Sequence, residues 1–444
     1  MHGHAHTSIF GIYWSPAKAA ITILFMLLSL ILLMLFLTLT AQPAQGQAYQ
    51  LVYVFNANPG NGAGPAFPRN GVTMDRLGNI YGATGGDGTI GQFGSVYKLS
   101  KSGSEWILTA LHIFYDSGTQ YGESPGGITV AQNGSVYGVA AGGGSGSPGN
   151  GTFFNIRAQP QAPRTAMDAW LDTVLYEFQG QPDSSGPDWV LTFDGAENAY
   201  GAAGGGGLYG AGTVYELAQS NGQWTETVLY SFTGGSDGSG PQGGVILDGT
   251  GNLYGTTLAG GDSGCQFTTG CGVVFELTQS DSGWTETVLY RFQGGSDGGN
   301  PSGGVVLDGA GNLYGMTKQG GSSGWGTLYE LSLSGGGWNL NVIYNFPAVS
   351  VPSASLITDA AGDLYGAIGF GGLYGNGSIF EMTPSDGGWT YRSLYEFPAS
   401  GGYGSGPNGP LYMDAQGNLY GTTQAGGDYQ VCEPGCGVVF EITP

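Results

Sequence analysis

The sequence reads GGVILD at residues 243–248, NLYGTT at residues 252–257, CGVVFEL at residues 271–277 and WTETVLYRF at residues 284–292. Each segment is rich in β-branched and aromatic residues and is bounded by Gly, Asp, Asn or Ser, which is typical of β-strands joined by turns. None of them shows a helical period, so an alternation of strands and helices is not expected. We name the four predicted strands a, b, c and d.

This four-strand unit recurs along the whole chain. A Tyr-Gly pair marks strand b, and successive pairs lie on average about 56 residues apart, a period typical of β-propellers and solenoids. The seven tyrosines are Tyr81, Tyr137, Tyr200, Tyr254, Tyr314, Tyr365 and Tyr420.

The strands at the two ends of the chain predict how the repeat closes. The first repeat segment is a lone strand d, LVYVF at residues 51–55, whereas the last repeat supplies only strands a, b and c and ends at Ile442. Pairing of the first strand into the last blade would remove both exposed edges. We therefore predict an all-β fold, a seven-bladed β-propeller of four-stranded blades closed by the N-terminal strand, with an open solenoid as the alternative.

Two further patterns of the repeat have structural interpretations. An Asp begins six of the seven turns between strands a and b, and its carboxylate is expected to bond the turn backbone; these residues are Asp75, Asp194, Asp248, Asp308, Asp359 and Asp414. Strand d repeats Trp, Tyr and Phe at even spacing, as at Trp224, Tyr230 and Phe232. Even spacing predicts that the three rings share one strand face and pack in the core between sheets.

The repeat resembles a known family. VLYSF at residues 228–232, PQGGVILDGTGNLYGTT at residues 241–257 and GTVYEL at residues 212–217 are similar to the GloVer tandem repeat of bacterial exported proteins, whose members carry various sorting anchors. The resemblance extends from about Leu51 to Ile442 and implies a secreted or surface protein, but it brings no catalytic residues. Residues 241–255 are also similar to NHL propeller repeats.

The N-terminus is predicted to direct export. Residues 19–39 are uncharged and apolar, long enough as a helix to cross a hydrocarbon core of about 30 Å. Small residues at Ala44, Gly46 and Ala48 offer cleavage positions, so a cleaved signal peptide and a retained membrane anchor both stay open. We divide the chain into a cytosolic N-terminal region (1–18), a signal or anchor region (19–48) and the propeller (49–444), which export places in the periplasm, at the cell surface or in the medium.

Composition narrows the range of partners. Ten Lys and Arg against 32 Asp and Glu give a net charge of −22, which repels nucleic acids and anionic membrane surfaces. We expect no nucleic-acid partner, membrane contact only through residues 19–39 if these are not cleaved, and a monomeric propeller.

The four cysteines form two equivalent pairs, Cys265 with Cys271 and Cys432 with Cys436, each in the loop between strands b and c. In an oxidising compartment these pairs predict two local disulfides. A zinc site is the alternative, although no histidine accompanies the thiols.

Strand alternation places the loops from d to a and from b to c on one face of the propeller, which we call the loop face. Acidic side chains in these loops are the candidate ligand residues: Asp116, Glu123, Asp183, Asp237 and Asp297 in the d-to-a loops, and Asp87, Asp262 and Asp428 in the b-to-c loops. Clustered oxygen ligands of this kind could bind Ca²⁺. The alternative interpretation is that each Asp stabilises its own turn.

These observations favour a non-catalytic binding module outside the cell, with the central mouth and the loop face as its contact surface and an extracellular protein or glycan as its partner. One rival is an extracellular hydrolase or lyase that uses loop carboxylates, with or without Ca²⁺. Another is a structural envelope protein that has no saturable ligand. The predicted propeller keeps one histidine, His112, so it offers no His cluster and no convincing Ser/His/Asp arrangement, and no catalytic residue is assigned.

Overall fold

The computed structural model describes residues 48–55, 66–85, 92–115, 123–131, 133–144, 149–159, 170–261, 265, 269–399, 402–427 and 435–444, with only the backbone described at Gln92, Tyr115 and Glu123. Tyr49–Pro444 forms one compact unit. All regular secondary structure in the described ranges is β.

The strands form seven antiparallel sheets in chain order. The first strand, β1 (Ala48–Val54), precedes blade 1. Blade 1 consists of β2 (Pro68–Met74), β3 (Ile80–Thr84), β4 (Gln92–Ser102) and β5 (Glu105–Tyr115). Blade 2 consists of β6 (Glu123–Val130), β7 (Val136–Gly142), β8 (Thr152–Ala158) and β9 (Trp170–Glu177). In blade 3, strand a is divided into β10 (Ser184–Pro187) and β11 (Thr192–Phe193), followed by β12 (Ala199–Gly206), β13 (Thr213–Ser220) and β14 (Gln223–Ser231).

The remaining blades repeat this pattern. Blade 4 consists of β15 (Ser239–Leu247), β16 (Leu253–Ala259), β17 (Val273–Ser280) and β18 (Gly283–Arg291). Blade 5 consists of β19 (Gly299–Pro301), β20 (Val306–Leu307), β21 (Leu313–Gln319), β22 (Thr327–Ser334) and β23 (Gly337–Asn345). Blade 6 consists of β24 (Val351–Pro352), β25 (Ile357–Thr358), β26 (Leu364–Phe370), β27 (Ser378–Ser385) and β28 (Gly388–Glu396). Blade 7 contains β29 (Ser405–Met413), β30 (Leu419–Ala425) and β31 (Val438–Thr443).

The predicted closure of the ring is confirmed. Strand β1 pairs with β31 and supplies the outer strand of blade 7. After this strand, the Phe55 amide donates a hydrogen bond to the Gly437 carbonyl at 3.1 Å. The first strand of the propeller therefore completes its last blade, and the fold is a seven-bladed β-propeller.

One aromatic contact recurs at all seven blade interfaces. The Phe at the end of strand d packs at a steep angle against a ring of strand c in the next blade, with centroids 5.1 to 5.7 Å apart. Phe55 of blade 7 contacts Tyr97 of blade 1 in this way, so the same contact also closes the ring. Burial of such rings stabilises each interface by about 1.5 to 3 kcal/mol per side chain.

The prediction that the three rings of strand d share one face is wrong. In blade 3, Trp224 packs against Phe153 of blade 2, whereas Phe232 packs against Phe275 of blade 4. The pairing of β13 with β14 shifts by one residue at Leu229, and equivalent shifts occur in blades 1, 2, 4, 5 and 6. Such a β-bulge reverses the face on which later side chains lie, which spacing alone does not reveal.

The structural interpretation of the turn aspartates is confirmed by their hydrogen bonds. Asp248 Oδ1 accepts the backbone amides of Thr250 at 2.8 Å and Asn252 at 2.9 Å. The same two backbone bonds recur at Asp75, Asp194, Asp308, Asp359 and Asp414. These carboxylates hold the hairpins opposite the loop face.

The described part of the chain contains no helix that is long and apolar enough to cross a membrane. Residues 19–39 lie outside the described residues, so the signal peptide or anchor stays a prediction.

Candidate functional site

The strands a surround the axis of the propeller. Neighbouring strands a approach so closely that a Cβ on Gly243 of blade 4 would lie 1.7 Å from the Gly304 amide of blade 5. Blade 1 even contacts blade 3, because Asn70 Nδ2 donates to the Asp188 carbonyl at 2.8 Å. Only near the axis can two blades touch across the blade between them.

Blade 2 leaves room for this contact. Its strand a carries Gly126 and Gly127, and a Cβ on Gly126 would lie 2.2 Å from the Asp188 carbonyl oxygen. The Gly127 amide also donates to that oxygen at 3.1 Å. A side chain at Gly126 would therefore block the approach of blade 3.

The axial residues are departures from a repeated motif. Strand a reads PQGGV at residues 241–245 and PSGGV at residues 301–305, but PRNGV at residues 68–72 and PDWVL at residues 187–191. Blades 1 and 3 thus replace small or polar residues by Arg69, Asn70, Asp188 and Trp189. Gln242 of blade 4 occupies the same strand position as Arg69 and Asp188, and we call these five residues the axial cluster; all five are partly exposed.

The charges of the axial cluster balance. Burial raises the pKa of the Asp188 carboxyl, and the nearby Arg69 guanidinium and the hydrogen bond from Asn70 oppose this shift. Asn70 Nδ2 lies 3.3 Å from Asp188 Oδ1. Arg69 and Asp188 are close enough to interact electrostatically but do not form a direct ion pair, so both keep capacity for further hydrogen bonds.

Equivalent side chains in other blades have structural roles. Ser353 Oγ of blade 6 donates to the Pro407 carbonyl at 2.8 Å, and Asn408 Nδ2 of blade 7 donates to the Pro68 carbonyl at 2.9 Å. Both bonds join neighbouring blades. In contrast, the side chains of Arg69 and Gln242 form no hydrogen bond with any other residue that the structure describes. Among the described residues, partly exposed polar side chains without a partner at this strand position therefore lie in blades 1 and 4, and blade 5 has the buried Ser302 hydroxyl there.

The loop face also carries exposed apolar and aromatic side chains. Eight of the twelve exposed large hydrophobic residues of the described ranges lie in its loops or, as Phe370 does, at the end of a strand that leads into one. Two belong to blade 3, Leu208 and Tyr209. The other six lie in the neighbouring blades 5 to 7 and form what we call the loop patch: Trp325, Val349, Phe370, Leu373, Tyr374 and Tyr403.

The loops that carry the loop patch are uncharged. Residues 320–326, 346–350, 371–377 and 397–404 contain no Asp, Glu, Lys or Arg and are rich in Gly and Ser. On a chain of net charge −22, this is a neutral surface. The hairpins of the opposite face instead contain polar sequences such as QSDSG at residues 279–283.

Three of the predicted acidic ligand residues have fully described side chains, and each one bonds its own loop. Asp183 Oδ2 accepts the Gln179 amide at 2.8 Å, and Asp297 Oδ2 accepts the Gln293 amide at 2.7 Å. Asp237 accepts the Thr233 amide at 2.7 Å, and hydrogen bonds from Thr233 and Tyr230 hold the pKa of its carboxyl below the usual range despite burial. The turn-forming interpretation accounts for these contacts.

The other acidic candidates cannot be placed in the same way. Asp87, Asp116, Asp262 and Asp428 lie outside the described residues, as does the side chain of Glu123. Among the residues that are described, no group of three or more His, Cys, Asp or Glu side chains is arranged to hold a metal ion. The ligand role of the loop acids and the binding of Ca²⁺ stay predictions.

One of the two predicted disulfides is present. Cys265 and Cys271 are bonded, with their Cα atoms 5.0 Å apart. Cys436 is buried and also disulfide-bonded, whereas Cys432 lies outside the described residues. The bond in blade 4 fits an oxidising compartment.

The comparison with family models supports the resemblance seen in the sequence. Residues 263–444 match the model of the Gloeobacter/Verrucomicrobia repeat. This part of the chain extends from the b-to-c loop of blade 4 to the end of blade 7. No curated protein is significantly similar to the sequence.

Solved structures share the fold at low sequence identity. The extracellular domain of a protein named as a one-component system of B. thetaiotaomicron is 12% identical, with a TM-score of 0.50, and the match covers 89% of this chain and 40% of that chain. A gluconolactonase of Xanthomonas campestris is 14% identical, with a TM-score of 0.39, and the match covers 89% of this chain and 99% of that chain. At this identity the first likeness shows the fold alone, and the second carries no functional argument.

Sequence reasoning missed the axial cluster, although a signal was present. The acids that recur in the loops are the more obvious pattern. Asp188 and Trp189 do not recur, but they stand where other blades have small or polar residues. Comparison of each blade with the repeat at strand a would have singled them out. The contact of Asp188 with blade 1 could not be predicted from the sequence, because it depends on how closely blades 1 and 3 approach each other past blade 2.

Proposed function

We propose that this protein is an exported, non-catalytic binding module that contacts an extracellular protein or glycan through its loop face. The observation that carries the proposal is the loop patch. Monomeric soluble proteins rarely expose a contiguous apolar surface without a binding role. Leu373 and Tyr374 have exposed counterparts in the same loop of blade 3, Leu208 and Tyr209, whereas Trp325 and Tyr403 have none among the described residues of the other blades.

The loop patch combines residue types that are common in binding surfaces. Tyr and Trp side chains offer large, rigid contact areas at low entropic cost, and Gly- and Ser-rich loops adapt around them, a combination that is also typical of antibody paratopes. Trp325 is 38% exposed, Tyr374 51% and Leu373 74%, so these side chains are available for contact. The absence of charge in these loops favours a neutral partner surface.

The compartment supports an extracellular partner. The Cys265–Cys271 disulfide, the apolar segment at residues 19–39 and the matched repeat are all consistent with export. The net charge of −22 disfavours polyanionic partners. A neutral glycan or the neutral surface of an extracellular protein fits both conditions.

A binding array tests this proposal. Purified residues 49–444 are applied to neutral polysaccharides and to purified extracellular proteins, and binding is compared with that of Leu373→Ser/Tyr374→Ser. We expect saturable binding that the double variant weakens at least about tenfold, because it removes two contact side chains at the centre of the patch.

The matched control lies on the opposite face. Leu77→Ser/Leu333→Ser removes two side chains that are 89% and 64% exposed but belong to the polar hairpins. This control should bind like the wild type. Saturable binding that is equal in all three proteins would place the contact elsewhere, and no saturable binding would favour the structural envelope protein. A hydrolase panel on the same protein tests the rival enzymatic prediction.

A further inference from the structure

We propose that the axial cluster is a second binding site, separate from the loop patch, that takes a neutral saccharide near the propeller axis on the side of the loop face. The site is built by strands a of blades 1, 3 and 4. It goes beyond the proposed contact with a macromolecule, since its chemistry fits a small ligand.

The available polar groups match the hydroxyl groups of a sugar. Asp188 is an acceptor, the Arg69 guanidinium is a donor, and the Gln242 amide is both. Sugar hydroxyls donate and accept in the same way. Because Arg69 and Asp188 balance each other in charge, a neutral ligand is favoured over an ion.

Trp189 supplies the apolar part of the site. Its Cβ lies 3.6 Å from where a Cβ on Gly244 of blade 4 would stand, so Trp189 is placed at the boundary of blades 3 and 4. The indole forms no hydrogen bond with another described residue and is partly exposed. A ring with one apolar face and a polar edge suits the C–H face of a saccharide, as apolar pockets with a few placed polar groups generally do.

Packing alone does not explain these residues. The same positions of strand a are occupied by Ser302 and Gly303 in blade 5, and that blade forms its interfaces without large side chains. Arg69 instead extends over Gly85, where a Cβ would lie 2.7 Å from Arg69 Cδ. Blade 1 therefore holds a cation near the axis although the repeat can be built without it.

The test uses saturation-transfer NMR and calorimetry on residues 49–444 with a panel of neutral mono- and disaccharides at millimolar concentration. We expect at least one saccharide to bind, and Asp188→Asn and Trp189→Ala to weaken its binding by about tenfold or more, since the first removes a charged acceptor and the second the apolar contact surface. Asp281→Asn, in an exposed hairpin of the opposite face, should leave binding unchanged.

A second variant distinguishes a loss of binding from a loss of folding. Asp188 also takes part in the contact between blades, so Gln242→Ala, which removes an amide with no hydrogen-bond partner among the described residues, should weaken binding while the melting temperature is kept. The loop-patch variant Leu373→Ser/Tyr374→Ser should bind the saccharide like the wild type, which separates failure of this proposal from failure of the proposed function.

Three results would overturn the proposal. The first is that no neutral saccharide of the panel binds. The second is binding that Asp188→Asn, Trp189→Ala and Gln242→Ala all leave unchanged. The third is binding of zwitterionic amino acids in place of saccharides, which would assign Arg69 and Asp188 to the two charges of such a ligand.

Discussion

At the scale of single residues, equivalent positions in different blades have different environments. Strand d carries Glu226 in blade 3 and Glu286 in blade 4, within the same sequence WTETVLY. Glu226 accepts a hydrogen bond from the Ser184 hydroxyl. Blade 4 has Gly238 in place of Ser184, and the buried Oε1 of Glu286 has no partner among the described residues.

This difference predicts a pH dependence of stability. Burial and the charge of Asp237 raise the pKa of Glu286 to about 7, and Arg291 only partly opposes them. The folded state therefore holds a proton that the unfolded state loses near pH 4.5, so this group's contribution to stability falls as the pH rises from about 4.5 to 7. Glu286→Gln should flatten this fall, measured by urea unfolding at several pH values.

The control for this prediction is Glu226→Gln. It weakens the hydrogen bond from Ser184 and should destabilise the protein by about 1 kcal/mol. If Glu286→Gln has the same pH profile as the wild type, Glu286 is ionised in the folded protein at neutral pH and the assignment is wrong.

At the residue scale, hydrogen bonds within a turn could be predicted from the sequence, whereas contacts between distant residues could not. The hydrogen bonds of the turn aspartates were predictable, since Asp bonds the backbone within a few residues of itself. The approach of Asn70 to Asp188 joins residues 118 positions apart and depends on Gly126 and Gly127 between them. No local pattern carries that information.

At the scale of strands, the order of the elements was predictable and their local irregularities were not. Counting strand types predicted that β1 completes blade 7. The bulge in strand d escaped prediction because one extra residue leaves composition and spacing unchanged while it moves Trp224 and Phe232 to opposite faces. Register belongs to a pair of strands and cannot be derived from one of them.

Removal of β1 should open the ring. A chain that begins at Phe55 lacks the outer strand of blade 7 and exposes the edge of β31, so we expect a lower melting temperature, loss of a single cooperative transition and association into larger species. A chain that begins at Ala48 is the control. Differential scanning calorimetry and light scattering measure both effects, and identical melting of the two chains would contradict closure by β1.

Contacts between blades also depend on glycine at defined positions. Gly272 has φ +83°, and a Cβ there would lie 2.2 Å from the Thr257 carbonyl oxygen and 2.7 Å from Pro301 Cδ of blade 5. Gly272→Ala should therefore destabilise the protein by about 3 kcal/mol or more, because backbone strain and a clash add together.

The matched control is Gly283, which has φ +109° but no neighbouring atom within 4 Å. Gly283→Ala should cost only the backbone strain of about 1 to 2 kcal/mol. Chemical denaturation of the two variants separates the free-energy cost of the clash from that of the backbone strain. Equal losses of stability would show that the approach of blade 5 to Gly272 contributes nothing.

At the scale of the whole molecule, a regular scaffold carries an irregular surface. Seven equivalent Phe contacts and six equivalent Asp turns build the ring, and those parts repeat in the sequence. Arg69, Asn70, Asp188 and Trp189 of the axial cluster and part of the loop patch depart from the repeat, and both groups lie toward the same face. We expect the ligand-binding residues where the sequence departs from the repeat, because the repeated residues already form contacts that hold the ring together.

The most direct measurement restores the repeat at the axis. Arg69→Ser/Asn70→Gly gives blade 1 the PSGGV sequence of blade 5, and Asp188→Ser/Trp189→Gly gives blade 3 the same first three residues of that motif. If departures from the repeat carry recognition, the quadruple variant melts cooperatively within a few degrees of the wild type, and calorimetry detects no saccharide binding. A folded variant that binds saccharide as tightly as the wild type would contradict the account.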